Sequence, residues 1–168
     1  EDMDELMVKS IPFCGVGIAI LVVSMFVKTI LNKQVVVNPL FVVIGFVAGF
    51  LALIIHEYLH GVVYPKGATV YIGIYPKAFA AVALASYPLK RWRFILMCLL
   101  PTILGIIPIA AFLILPPYMK ALNGFLLGFS MVGLTSPSVD LYNVYQVLKQ
   151  TPKKCMIQFY GDETYYIN

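Results

Sequence analysis

The chain has 168 residues, of which 61% are hydrophobic and only 12% charged, with a formal net charge of +4. Its mean hydropathy is +0.89. Soluble domains carry about 45–50% apolar and about 25% charged residues, so a water-exposed globule is excluded and lipid is the surface that suits this composition. The length fits one domain, residues 1–168. The basic residues sit between long apolar runs rather than on one polar face, which argues against nucleic acid and for loops at a membrane surface.

The first apolar run covers about residues 11–31 and is broken only by Lys28. At 1.5 Å per residue it is long enough for a hydrocarbon core of about 30 Å. Glu1, Asp2, Asp4 and Glu5 precede it. A signal peptide has a basic leading region instead, so the run reads as a membrane helix whose far end is marked by Lys28, Lys33 and Gln34. A second span covers about 36–64. Asn38-Pro39 lies near its start, where proline costs least, and the run continues through His56 and His60 to Tyr64-Pro65 as one tilted helix.

Residues 68–87 change character. Thr69 to Tyr75 is rich in β-branched and aromatic residues, Pro76-Lys77 punctuates it, and a short apolar run follows. This predicts a β-hairpin between spans two and three. A lone hairpin is marginal in water, so it should lean on the helices. Lys90, Arg91, Trp92 and Arg93 form a basic-aromatic anchor at a membrane surface. A third span runs from about 94 to 115, and its Pro101 and Pro108 predict kinks. The fourth covers about 122–148, broken at Thr135-Ser136-Pro137-Ser138, with a more polar helix resuming at Val139. The tail after Pro152 reads as an extended surface cap. The expectation is an all-α membrane protein of four spans with a small β-hairpin element.

With four spans both termini share one side. That side collects nine basic residues (Lys9, Lys66, Lys77, Lys90, Arg91, Arg93, Lys149, Lys153, Lys154) against three (Lys28, Lys33, Lys120) on the other. The excess places both termini in the cytoplasm. Cys14, Cys98 and Cys155 form no CxxC pair and read as small apolar packing residues.

Of eight acidic residues, only Glu57 and Asp140 lie within or beside apolar runs, and the only two histidines, His56 and His60, flank Glu57. An ionisable group at membrane depth costs about 2.5–3.5 kcal/mol on insertion scales, so these residues call for a shared partner. A divalent cation serves all of them. Histidines at i and i+4 stack on one helix face and can reach one ion. Glu57 beside them can deprotonate a water. A catalytic zinc takes three protein ligands and an open position, and Asp140 is the carboxylate left for the third. The alternative role for Asp140 is a helix N-cap after Pro137. Asn143, one turn on, can orient that ligand, bind a substrate backbone, or be an ordinary interfacial polar residue. Thr135, Ser136 and Ser138 are loop or cap residues, since no histidine remains to activate a hydroxyl.

An apolar helix with HExxH, a strand-rich segment, a proline-bearing span and a later Asp resembles the site-2 protease group of intramembrane metalloproteases. More closely the chain resembles a family of small bacterial zincin peptidases known as DUF3267. The resemblance rests on His56-Glu57-Tyr58-Leu59-His60-Gly61, Ile74-Tyr75-Pro76-Lys77, Tyr87-Pro88-Leu89-Lys90-Arg91, Leu100-Pro101, Ser138-Val139-Asp140-Leu141 and Glu163-Thr164-Tyr165-Tyr166. It implies zinc held by His56, His60 and Asp140, Glu57 as base, a bacterial cell membrane, and a membrane-anchored protein substrate. Residues 68–75, with Val70 and Ile72, are then placed to grip the substrate backbone by strand addition. Two rival readings use the same residues: a zinc-binding scaffold or chaperone without protease activity, and a metal or proton carrier. The carrier needs a continuous polar path, and no further acid or histidine supplies one. The oligomeric state is not legible.

Overall fold

The computed structural model describes residues 3–75, 80–160 and 163–167. The Pro76-Lys77 turn lies outside them. Helix α1 is Met3–Asn32, α2 Pro39–Leu51, α3 Leu53–Val62, α4 Arg91–Leu99, α5 Ile103–Ile114, α6 Lys120–Thr135 and α7 Ser138–Gln150; strands β1 Tyr71–Tyr75, β2 Ala80–Leu84, β3 Leu89–Lys90, β4 Met156–Tyr160 and β5 Glu163–Ile167 complete it. Among the described residues, four helical stretches are long and apolar enough to cross a membrane: Glu5–Asn32, Pro39–Val62, Arg91–Ile114 and Lys120–Gln150. Their outward apolar side chains, such as Leu31, Leu51 and Ile114, are largely exposed, as an apolar solvent requires.

Local chemistry explains the element boundaries. Asn38 caps α2 by accepting from the Leu40 amide at 3.0 Å, with Pro39 in the first turn. Helix α1 begins earlier than the apolar run, because Glu5 and Lys9 pair at 2.8 Å across one turn. It ends where Lys33 takes a left-handed φ of 50°. The second span is broken only at Ala52, whose amide still bonds Ala48 O at 3.0 Å. The two prolines of the third span behave differently. Pro101 lies in a 3-10 turn, Leu100–Thr102, that separates α4 from α5, whereas Pro108 is carried inside α5.

The chain divides into two compact units. The unit formed by Pro12–Ala52 and Thr102–Pro137 is helical. Its core includes Leu21, Val36, Ile109, Phe112 and Leu127. Helices α2 and α6 meet through paired glycines: a methyl at Gly45 would meet the Phe125 carbonyl, and one at Gly128 the Val42 carbonyl. With Gly49 and Gly124 these form two facing small-xxx-small stripes, which let backbones approach closely. Lys28, expected at the end of a span, is instead 4% exposed. Its ammonium donates to the Phe112 carbonyl and to Asn123 Oδ1 at 2.8 Å, and lies 4.5 Å from the centre of the Phe112 ring. Asn123 in turn donates to the Pro116 carbonyl at 2.9 Å. The Phe112 carbonyl is among the last of α5, where a cation is favoured.

The other unit comprises Glu1–Ile11, Leu53–Pro101 and Ser138–Asn168. Phe94, Met97, Cys98, Val147, Cys155 and Ile157 belong to its core. The expected hairpin is present, with β1 antiparallel to β2 from Tyr71↔Leu84 to Tyr75↔Ala80. The tail adds a second sheet, ordered β3-β4-β5 and antiparallel throughout. Arg91, one of the expected surface anchors, turns inward to α7. It donates to Thr151 Oγ1 at 3.0 Å and to the Val147 and Leu148 carbonyls at 3.3 Å, capping the end of that helix.

Candidate metal centre

Helix α3 carries His56 and His60 one turn apart, their ring centres separated by 4.9 Å and their planes by 75°. Helix α7 brings Asp140 to them from its first turn. Asp140 Oδ2 lies 3.2 Å from His56 Nε2, and Oδ1 lies 3.5 Å from His60 Nε2. These side chains are 6%, 10% and 16% exposed for His56, His60 and Asp140. Asp140 therefore sits inside α7 and directs its carboxylate at the histidines, so the N-cap alternative is not the one adopted.

Helix α4 supplies a partner with no side-chain signature. The Met97 carbonyl lies 3.0 Å from His60 Nδ1. A carbonyl only accepts, so Nδ1 carries the hydrogen and Nε2 is left facing Asp140. In its neutral form His60 points a lone pair at a carboxylate oxygen, an arrangement that a cation between them makes favourable; in its protonated form it donates Nε2–H to Asp140 instead. Four-coordinate zinc with bonds of about 2.1 Å holds its ligands about 3.4 Å apart. The observed 3.2 and 3.5 Å match that spacing. Glu57 is half-buried, and one ligand atom each from His56, Glu57 and His60 lie within 4.8 Å of one another. The donor set fits a divalent metal with imidazole and carboxylate ligands.

The remaining expected residues lie elsewhere in the same unit. A methyl at Gly61 would sit 3.5 Å from Val70 Cγ1 and 3.7 Å from Ile72 Cδ1. Val70 and Ile72 thus pack beside α3, next to His60, with Val70 just outside β1 and Ile72 opposite Ala83. Asn143 lines a separate cleft formed by α7 and the β4–β5 sheet. Just past α3, burial pushes the Tyr64 phenol up to about 12, with Cys98 adding to the effect.

The family model described as "Putative zincin peptidase" (DUF3267) matches residues 49–156. The chain belongs to this family. The matched segment contains His56, Glu57, His60, Met97 and Asp140. Membership points to metallopeptidase chemistry and to zinc, the metal that HExxH helices of zincins hold. No curated protein and no solved structure matches the chain.

Proposed function

We propose that the protein is an intramembrane zinc endopeptidase of site-2 protease type, with His56, His60 and Asp140 as metal ligands and Glu57 as the general base. The observation that carries this reading is the convergence of both histidine Nε2 atoms on the two oxygens of Asp140. Zinc held there supplies Lewis acidity and lowers the pKa of a water toward about 7. The residues do the rest. Met97 O fixes the His60 ring, and Asp140 holds both imidazoles in register. Glu57 accepts the proton of the attacking water at a carboxylate oxygen and later delivers it to the leaving amine. Its position one residue after His56 sets it beside the ligands rather than opposite them.

The substrate in this reading is a membrane-anchored protein whose cleaved segment is locally extended. The β1 edge, lying beside Gly61, pairs with that segment by strand addition. The basic excess on the side of the termini supports a cytoplasmic placement of both ends in a bacterial cell membrane. Reporter fusions active only outside the cytoplasm would contradict that placement. The test of the activity is cleavage of a membrane-anchored reporter in reconstituted vesicles by wild type and Glu57→Gln. The account expects Glu57→Gln to lose at least about a hundredfold in rate, within the range of general-base contributions, while keeping its zinc. Equal activity in the two would remove the protease assignment and favour a zinc-binding scaffold.

A further inference from the structure

An α-helix pairs each carbonyl with the amide four residues on. Helix α4 follows that rule as far as the Leu100 amide, which bonds Leu96 O. The next carbonyl is that of Met97, and four residues beyond it stands Pro101. Proline has no amide, and its ring crowds the carbonyl four residues back. The helix stops at Leu99, and the 3-10 turn Leu100–Thr102 takes its place. Met97 O is thereby denied its helical partner. Met97 and Pro101 are both buried, where a carbonyl left without a donor is costly.

The donor that meets this carbonyl is His60, whose Nδ1 lies 3.0 Å from it. The need is reciprocal. An imidazole that offers Nε2 to a metal carries its hydrogen on Nδ1 and has to place it on an acceptor. A carbonyl held by its helical amide lies along the helix axis. One crowded by a proline ring leans outward, toward a donor on a neighbouring helix. Proline in this span is not enough by itself. Pro108, inside α5, likewise denies an amide to Leu104 O, yet that carbonyl lies against the backbone of Gly133, where a methyl would come within 2.5 Å of it. Of the two prolines, Pro101 frees the carbonyl that faces a proposed metal ligand.

We propose that Pro101 is a positioning residue of the metal centre: by withholding an amide from Met97 O it keeps that carbonyl for His60 Nδ1–H, and so holds Nε2 toward Asp140. The inference rests on the reading of His60 as a metal ligand. Pro101 touches neither metal nor substrate in this role and acts through Met97 and His60. An amide at position 101 competes with His60 for Met97 O, lets the ring turn, and weakens its hold on the metal.

The test compares the detergent-purified full chain with Pro101→Ala and with a chain in which lactic acid replaces Pro101. Lactic acid has the side chain of alanine but an ester oxygen in place of the amide. Zinc alone is the probe, titrated against a competing chelator. Pro101→Ala should bind zinc about tenfold more weakly, at the lower end of the about 10–100-fold typical when the outer partner of a ligand is disturbed. The ester chain should recover most of that loss, and Pro108→Ala should match the parent. Equal losses in Pro101→Ala and the ester chain would mean that only the ring or the kink matters, which overturns the inference. A second measurement leaves the chain unaltered. Nitrogen NMR of the histidine-labelled, zinc-loaded parent should find the His60 hydrogen on Nδ1 and slow to exchange. A hydrogen on Nε2, or a fast-exchanging Nδ1–H, overturns the inference with the zinc site standing. A parent that takes up no zinc, yet protects its Nδ1–H and loses that protection in Pro101→Ala alone, overturns the ligand reading and sustains the effect of Pro101 on His60.

Discussion

Replacing Asn123 by alanine removes two bonds at once from a fully buried position. The amide accepts from the Lys28 ammonium at 2.8 Å and donates to the Pro116 carbonyl at 2.9 Å. Loss of a hydrogen bond to a charged group costs about 1.5–3 kcal/mol, and loss of an ordinary one about 0.5–1.5 kcal/mol, since the Pro116 carbonyl keeps the Met119 amide at 3.2 Å. Together these come to about 2–4.5 kcal/mol, overlapping the about 3–5 kcal/mol seen when one partner of a buried charge is removed. Lys28→Met behaves differently, because the charge leaves together with its bonds and the stem still packs on Phe112. It should cost less than Asn123→Ala. In the Lys28→Met background, Asn123→Ala should cost about 2 kcal/mol less than in wild type. The assay is reversible unfolding in mixed micelles, run as a double-mutant cycle. A coupling below about 0.5 kcal/mol, the scatter expected of independent sites, would refute the view that Lys28 depends on Asn123.

Two further outcomes follow from the geometry. A side chain at Gly128 would meet the backbone carbonyl of Val42, so Gly128→Ala should cost about 1–3 kcal/mol by overpacking in the same unfolding assay, whereas Gly15→Ala, with open space around it, should be neutral or stabilising. The Tyr64 phenol, pushed up to about 12 by burial, is neutral in the folded chain where an unfolded tyrosine, near 10, has ionised. The folded form then holds the extra proton, so stability is fully present below about pH 10 and is lost as pH rises from about 10 to about 12. Tyr64→Phe should remove that part of the alkaline loss, read by the phenolate absorbance and by unfolding at each pH.

The parts of this fold that composition controls were readable. Spans follow from uninterrupted apolar length, and the Asn38-Pro39 start and the Pro101 break follow from backbone chemistry that tolerates few alternatives. The grouping of His56, His60 and Asp140 was legible for a related reason: an apolar chain has so few places for acids and histidines that these residues and Glu57 stand out. The second sheet was not, because β4 pairs with a two-residue strand far back in the chain, and no local pattern encodes that partner. Arg91 and Lys28 look like surface charges by type. Only tertiary structure shows that each caps helix-terminal carbonyls. The facing glycine stripes on α2 and α6 are visible as spacings, yet spacing names no partner. The Met97 carbonyl that orients His60 belongs to the backbone; its one trace is Pro101 four residues on, which has no amide to bond it, and that does not name the side chain that uses it.

The central claim is the three-ligand site, and zinc content tests it most directly. Mass spectrometry of detergent-purified wild type, Glu57→Gln, His60→Ala and Asp140→Ala should find about one zinc per chain in the first two, as a single zincin site requires, and loss in the last two. Zinc retained in Asp140→Ala would require another third ligand. A wild type that takes up no zinc would contradict the account.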